Sequence, residues 1–430
     1  MVWFADRFGS SWWSVWAVVL VVVLPVAVRA GDEAGPASLR GEVTLEDAVA
    51  AAMAGAPELT GAPSELAIRD AEAAQAAARP NPELVLEEEN FAGTGSSRAW
   101  REAETTLAVA VPIELGDERS RRVEVAQLDR RLAEWDQREQ RQTVRLATAE
   151  AFVRTLAAQE RLAWARQAVA LESALGEAVE RGLRAGAVSA VDARRASLAR
   201  KRAEADVDHR LRELAAARLA LARSWGERTP AFDRVRGDLA RLAPPPPLDE
   251  LLGKVGELPS VSRWHDQQAR DRASLALEDA RAAPDLRVGV GVRHLAADDD
   301  VALVASVGVA LPLFDRNQGA IAVARRSAER SAALGGGALV DGAAALRALH
   351  HEASASHDRA QTLLGSLVPE AEAVHREARE AYQRGLFRLT DVLETQRSLL
   401  ELRLELIDEL ERHHRAATAL RITCREGDSR

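Results

Sequence analysis

The chain has 430 residues, with 47% hydrophobic and only 4% aromatic residues, and alanine, leucine, arginine and glutamate dominate it. This composition favours long helices over a conventional mixed core. The net charge is −9, with arginines and glutamates interspersed as on solvated helix faces, so nothing points to a nucleic-acid partner. Because Cys424 is the one cysteine, no disulfide or cysteine-based metal site can form within the chain.

The N-terminus resembles a secretory signal. Arg7 precedes an apolar run over 15–28, and Val28-Arg29-Ala30 then leads into polar residues. This order predicts a signal peptide over 1–30 that is cleaved after Ala30, with a retained membrane anchor as the alternative. No later stretch has the ~18 uninterrupted apolar residues of a membrane helix, so a membrane-embedded form must use strands.

The rest of the chain contains an internal duplication. Four short segments recur in the same order at a spacing of about 200 residues. The pairs are 81–86 with 283–288, 111–113 with 311–313, 181–183 with 384–386, and 191–195 with 393–397. The four prolines at 244–247 cannot continue a helix. They separate a first repeat over 31–243 from a second repeat over 244–423, which is followed by a tail over 424–430.

Each repeat is predicted to contain a short helix, two strands and a long helical hairpin. In the second repeat Leu286, Val288, Val290 and Val292 alternate with polar or small residues, which is the period of a strand. The helical stretches show apolar residues at three- and four-residue steps. The predicted strands are about 83–90, 105–113, 285–294 and 301–313, and the predicted hairpins are 117–224 and 315–423.

Two hairpins give four strands per chain, too few to close a barrel, since the smallest bacterial barrels use eight. Open strand edges are not tolerated in lipid, so other chains must complete the sheet. Two chains would give eight strands and three would give twelve, and the count does not choose between them. The long helices also need lateral neighbours. Arranged around an axis, they would form a hollow cylinder beneath the strands, which is a conduit.

Three motifs carry a family resemblance. Pro80-Asn81-Pro82-Glu83-Leu84 running into Glu89-Asn90-Phe91-Ala92-Gly93 resembles the first strand of TolC-like outer-membrane efflux factors, most of all the CzcC-type components of heavy-metal efflux. The segment 112–119 resembles the end of that group's second strand and the start of its long helix. The segment 391–397 is similar to the start of the family's last long helix. The resemblance covers about 45–423.

The resemblance implies an α+β membrane protein in the outer membrane, extending into the periplasm. It implies a homotrimer in which a 12-strand β-barrel stands on a 12-helix periplasmic α-barrel. The implied partners are a periplasmic adaptor and an inner-membrane proton-driven pump, and the implied function is passive export of heavy-metal cations. One alternative is the same channel serving organic compounds or drugs. A second alternative is a periplasmic coiled-coil scaffold. No acylated cysteine lies near Ala30, so lipid anchoring is not expected.

The resemblance also implies that the two hairpin tips contact the adaptor and close the tunnel at rest; a plain helix reversal is the alternative. Asp192 and Asp391 follow the tips and would form carboxylate rings near the entrance, with a helix N-terminal carboxylate as the alternative. The second tip is expected to be one residue shorter than the first, which leaves pseudo-sixfold symmetry. The tip residues are Arg181, Gly182, Leu183 and Arg184 in the first repeat and Arg384, Gly385 and Leu386 in the second.

Two further expectations concern the second repeat and its histidines. Glycines 335–337 are predicted to interrupt the third long helix with a small insertion or bulge, since each costs ~1 kcal/mol in a helix interior. No catalytic motif or phosphate loop is recognisable, so we expect no enzyme, no cofactor and no metal site. A solvated helix face is the expected setting of the clustered histidines, with a transient metal contact as the alternative: His350, His351, His357, His413 and His414.

Overall fold

The computed structural model describes residues 39–95 and 98–425, which all lie in one compact unit. The predicted signal peptide and residues 426–430 of the predicted tail lie outside the described residues. The strands are β1 Gly41–Val43, β2 Glu83–Glu89, β3 Glu104–Ile113, β4 Phe232–Val235, β5 Leu286–Leu295 and β6 Asp300–Val309. The helices are α1 Leu45–Gly55, α2 Ala62–Ala76, α3 Glu118–Arg184, α4 Ala190–Arg223, α5 Leu248–Gly253, α6 Pro259–Ala280, α7 Gln318–Thr362, α8 Val368–Gln383 and α9 Leu389–Arg425.

The hairpins of the two repeats form one antiparallel sheet in the order β2-β3-β5-β6. The repeats meet at β3 and β5, where Leu107 lies opposite Val292. β6 ends at Val309, short of the predicted end at 313. The proline at 312 has no N–H to donate to a ladder, and the N–H of Leu313 bonds to Leu311 O in a turn.

The long helix of the first repeat is continuous, whereas its counterpart in the second repeat changes geometry. α7 is followed by a π-helix, Leu363–Leu367, and then by α8. The proline at 369 explains the wider turn. In an α-helix its ring would meet the carbonyl of Gly365, four residues earlier, and it has no N–H for the missing bond.

The predicted break at 335–337 is wrong, because α7 passes through these glycines without interruption. Packing gives Gly335 a reason to be small. A Cβ there would lie 2.4 Å from Nε2 of Gln268 and 3.5 Å from Cβ of Trp264, so α6 approaches the α7 backbone at this point. The bulge of the second repeat therefore lies at the π-helix, about seven helical turns beyond the glycines.

A small parallel sheet, β1 with β4, was not predicted. It covers the middle of the long helices, where Gln159 of α3 donates to Val235 O at 2.9 Å and accepts from Val235 N at 2.8 Å. Phe232 of β4 and Trp225 are fully buried, with ring centroids 5.9 Å apart. This cluster joins α3, α4, the π-helix and α9 into one core.

By length and composition alone, one helical stretch of the described residues would qualify as a membrane span. It is Gln318–Gln383, with a mean hydropathy of 1.2 over its most apolar window. A single stretch at this level is weak evidence for a spanning helix. Like the other long helices, it packs lengthwise, here on α6 and α9.

Candidate functional site

One face of the four-stranded sheet is apolar and bare. Its rows run across all four strands, as in Leu86–Leu107–Val292–Leu303, where each residue lies opposite the next. Leu303 is 88% exposed and Leu86 is 67% exposed. Such a wide apolar surface is too large for a soluble monomer and requires a lipid or protein neighbour.

The opposite face is polar and closely packed. Arg293 lies 2.7 Å from Glu104 and 3.0 Å from Glu89 and donates to Oγ1 of Thr106 at 2.9 Å. A Cβ at Gly291 would lie 2.5 Å from Leu107 O, so glycine is required where the strands approach. The charged side chains on this face in β2, β3 and β5 are Glu83, Glu87, Glu89, Glu104, Arg287 and Arg293, an excess of carboxylates.

The sequence analysis missed this charged face. The signal was present in β2, where glutamate occupies three of the four odd-numbered positions, 83, 87 and 89. A further glutamate at 88, on the other face, hid the period. Glu88 accepts from Oγ1 of Thr105 at 3.0 Å at the end of the apolar face. Only the strand pairing shows that Glu87 lies on the polar face and Glu88 on the apolar face.

The hairpin tips are of equal length. Residues 185–189 connect α3 to α4 and residues 384–388 connect α8 to α9, so each connection has five residues. The left-handed turn residues are Gly186, with φ 72°, and Gly385, with φ 74°. The expectation that the second tip is one residue shorter is wrong.

The turn geometry also corrects the alignment of the repeats. Ala187 N bonds to Gly182 O at 2.9 Å, and Leu386 N bonds to Ala381 O at 2.9 Å. Gly182 is therefore a helical residue, and the match of 181–183 with 384–386 is not a structural equivalence. Gly182 is small for another reason: a Cβ there would lie 2.5 Å from Cγ2 of Val188.

The predicted tip residues differ in exposure. Arg181, Arg184 and Arg384 are exposed, as is Leu386 at 72%. Leu183 is half-buried, and Gly182 lies against the turn. Among these predicted tip residues, the exposed side chains are thus arginines at the first tip, and an arginine with a leucine at the second.

The two candidate entrance carboxylates lie in the first turns of α4 and α9, and each accepts a hydrogen bond from the residue that precedes its helix. Asp192 accepts from Oγ of Ser189 at 2.7 Å, and Asp391 accepts from Arg388 N at 2.9 Å. This is the helix-terminal role that was weighed as the alternative. The pKa of Tyr382, on the neighbouring hairpin, is raised. Burial is the larger cause, and the negative charge of Asp192 is the smaller one.

The two hairpins pack together just above their turns. A cluster of buried residues from α3, α4, α8 and α9 holds them, and we call it the tip core. It consists of Leu175, Val179, Ala196, Ala378, Leu389 and Val392.

The clustered histidines lie farther from the tips, between α7 and α9. His357 and His413 are buried with ring centroids 5.2 Å apart, so the solvated face expected for them is wrong, whereas His351 is exposed. Nδ1 of His413 lies 3.2 Å from Ala353 O, and burial lowers the pKa of His413. Among residues 39–95 and 98–425, no group of three or more His, Cys, Asp or Glu side chains is arranged to hold a metal ion.

Comparisons with known proteins agree with this architecture. The family described as outer membrane efflux protein matches residues 48–227. The chain is 32% identical over 388 residues to the cobalt-zinc-cadmium resistance protein CzcC of Cupriavidus metallidurans, covering 90% of each chain. It is 29% identical to the nickel and cobalt resistance protein CnrC of that organism, covering 70% of this chain and 69% of that one. The structure of the outer membrane protein VceC from Vibrio cholerae is similar with a TM-score of 0.70 and 18% identity, covering 89% of this chain and 95% of that one.

The sheet with one bare apolar face, joined to two long helical hairpins, defines a protomer of a TolC-like outer-membrane channel that extends into the periplasm. The chain belongs to the outer membrane efflux protein family. The predicted family and the α+β fold class with its duplicated unit are confirmed. This is a family of efflux channels rather than of enzymes, and its channels form homotrimers and work in tripartite efflux systems.

Proposed function

We propose that three copies of this chain form a channel that passively exports heavy-metal cations as the outer-membrane part of a tripartite system. The observation that carries the proposal is the sheet with its bare apolar face and two free edges. β2 and β6 are the outer strands of the sheet in the described chain. Pairing β6 of one copy with β2 of the next closes the edges, and three copies supply twelve strands.

The cation substrate is supported by the relatives and by the charge of the inner face. Two relatives are cobalt, zinc, cadmium and nickel resistance proteins by name. On the polar face, Glu83, Glu87, Glu89 and Glu104 outnumber Arg287 and Arg293. Threefold repetition of this excess inside a barrel gives a negative lumen, which raises the local concentration of cations.

The proposed partners are a periplasmic adaptor and an inner-membrane proton-driven pump, and we propose that the hairpin tips bind the adaptor. The exposed Arg181, Arg184, Arg384 and Leu386 would make the contacts, while Gly182, Leu183 and Gly385 shape the turns. Asp192 and Asp391 face the same end of the molecule and would form carboxylate rings at the entrance in addition to their bonds within the helices. A photo-crosslinker at 181 or 384 should capture the adaptor, and one at the exposed Lys201 of α4 should not.

Metal tolerance tests the substrate. A deletion strain without paralogues should become sensitive to cobalt, zinc or cadmium and regain tolerance with the wild-type gene. Unchanged metal tolerance together with new sensitivity in a drug panel would favour the organic-compound channel. Extraction without detergent and no conductance in planar bilayers would favour the periplasmic scaffold.

A matched pair of variants tests the negative lumen. Glu87→Gln should lower the permeability ratio of cations to anions by a factor of about two to three in bilayer recordings, because three lumen charges are lost from the trimer. Glu88→Gln makes the same chemical change on the opposite face of β2 and should leave the ratio unchanged. Equal effects of the two variants would contradict the assignment of the faces.

A further inference from the structure

A layer of polar side chains lies one helical turn above the tip core. Glu172 precedes Leu175 of the tip core by three residues in α3, and His375 precedes Ala378 by three residues in α8. Gln396 follows Val392 by four residues in α9. Because α3 and α8 run towards the tips and α9 runs away from them, these steps all lead away from the tips.

Contacts between the helices also show that the three residues lie at the same height along the seam. Nδ1 of His375 lies 3.3 Å from Oγ1 of Thr395, next to Gln396. Glu172 lines a groove together with Leu393 and Arg397, which flank Gln396 in α9. We call Glu172, His375 and Gln396 the polar layer.

All three side chains are buried and each keeps an atom without a hydrogen-bond partner among the described residues. Glu172 is 6% exposed, His375 5% and Gln396 2%. The atoms without a partner are Oε2 of Glu172, Nε2 of His375 and Nε2 of Gln396. An unsatisfied buried polar atom destabilises the packed state, so the polar layer is a weak level of this helical seam.

Stronger contacts fasten the seam on both sides of the polar layer. The apolar tip core lies on one side. On the other side, Arg161 of α3 lies 2.6 Å from both Asp408 and Glu411 of α9 and 3.7 Å from Glu213 of α4. A weak level between two firm ones is the position at which a long helix bends or parts from its neighbour.

The groove beside Glu172 offers a partner for its ionised form. It has a volume of about 460 Å³ and lies between α3, α4 and α9. Arg195 and Arg202 of α4 and Arg397 of α9 stand on its walls. Arg195 lies 3.4 Å from Asp192 and Arg397 lies 2.8 Å from Glu401, so a small separation of the helices lets a guanidinium group exchange one carboxylate for another.

We propose that Glu172, His375 and Gln396 form a hinge layer, at which α3 parts from α8 and α9 when the tip end of the channel opens. The proposal rests on the proposed channel function. In the packed state each of the three side chains keeps one buried polar atom without a hydrogen-bond partner among the described residues. In the parted state water reaches them, and the Glu172 carboxylate gains an arginine from the groove.

Charge gives the hinge layer a pH response with two opposing parts. Desolvation raises the pKa of Glu172, so packing around it weakens as the pH rises from the ordinary carboxyl range through this raised pKa. Desolvation, and then Arg379, lowers the pKa of His375, so packing around it weakens as the pH falls through the ordinary imidazole range. The other charged groups that line the groove beside Glu172 are Arg195, Arg202 and Asp206 of α4 and Arg397 of α9.

The test separates these two parts by measuring the distance between α3 and α9. Spin labels at Ala174→Cys and Ser398→Cys, both exposed positions, report the separation in the full-length protein carrying Cys424→Ser. In Glu172→Gln only the histidine part is left, so the parted population should fall about tenfold between about pH 5 and pH 7.5. In His375→Gln only the carboxyl part is left, so the same population should rise about tenfold.

Glu177→Gln is the matched control, since Glu177 is exposed one turn away on the same helix. It should follow the wild-type profile, in which the two parts oppose each other. Identical pH profiles in the wild type, Glu172→Gln and His375→Gln would overturn the hinge layer. Conductance recorded on the same samples keeps the two proposals apart: opposite pH slopes without conductance would support the hinge layer and refute the channel.

Discussion

The two repeats contain equivalent long helical segments whose ends are alike but whose middle parts differ. In the first repeat α3 is a single helix from Glu118 to Arg184, whereas the second repeat uses α7, a π-helix and α8. The ends nevertheless correspond. Each segment starts after a left-handed residue, Asp117 or Asn317, and ends at a left-handed glycine, Gly186 or Gly385. The backbone conformations at the ends are therefore kept, while packing sets the interior.

The two tips likewise share their backbone conformation and differ in their surface side chains. Both use five-residue connections and the same pattern of turn hydrogen bonds. Around the turn glycine, however, the first tip has alanines at 185 and 187, and the second has Arg384 and Leu386. A trimer of this chain would thus present two alternating kinds of tip, which fits an adaptor that distinguishes them.

The contact between the repeats at Arg161 should give the largest effect on stability. Its guanidinium is mostly buried and reaches Asp408 and Glu411 of the second repeat. Arg161→Met should lower the free energy of unfolding by about 3 kcal/mol, because it leaves carboxylates without their partner. Arg154→Met is the control, since Arg154 pairs with Glu150 on the surface of the same helix and should cost at most about 0.5 kcal/mol.

Thermal unfolding of the detergent-solubilised trimer measures both variants. A loss in Arg161→Met no larger than in the control would mean that the Arg161 ion pairs do not help to hold the repeats together. Arg161 would then no longer count as the firm contact that holds the seam on the side of the polar layer away from the tips.

The turn glycines should give a smaller and equal effect in the two repeats. Gly186→Ala and Gly385→Ala should each cost about 1 kcal/mol, because both residues have positive φ. Gly182→Ala should be rescued by Val188→Ala, which removes the close contact, whereas Gly186→Ala should not be rescued. Unfolding midpoints measure the three single and two double variants. A Gly182→Ala variant that matched Gly385→Ala and resisted rescue would restore the alignment made from the sequence motif.

Local period and turn chemistry explain which parts of this comparison were predictable. The alternation at Leu286–Leu295 and the glycines near both tips gave the strands and the reversals. The alignment of Gly182 with Gly385 failed because an Arg-Gly-Leu motif looks the same in a helix and in a turn. The sequence predicts a helix break at Gly335 because the residue that requires it to be small, Gln268, is far away in the chain.

The polar layer could not be predicted for the same reason. Glu172 lies in a helix rich in exposed glutamates, and its residue type hides its place on the apolar stripe between Ala168 and Leu175. Its burial follows from where α9 passes, which is decided more than 200 residues later in the chain. The parallel pairing of β1 with β4 likewise joins two segments too short to carry a period of their own.

The last comparison is between single-residue deletions in the two long helical segments, one at the π-helix and one in α3. A π-turn holds one residue more than an α-turn over a similar rise, so deleting Gly365 together with Pro369→Ala should restore a continuous α-helix without rotating its flanks. We expect a change of less than about 1 kcal/mol in this variant. α3 has no π-turn and therefore no extra residue to lose. Deleting Ser173 rotates one part of α3 against the other by about 100°, so either Glu172 or the tip core turns away from the seam.

Heat resistance of the trimer on gels and the thermal midpoint compare the two deletions. The α8 contacts between His375 and Thr395 should survive the deletion at 365, because the register of α8 against α9 is kept. Equal loss of trimer in both deletions would mean that the π-helix is itself required, as a bend rather than as a harmless extra residue. The difference between the repeats would then be functional, and the second repeat would be the one that bends when the tips move.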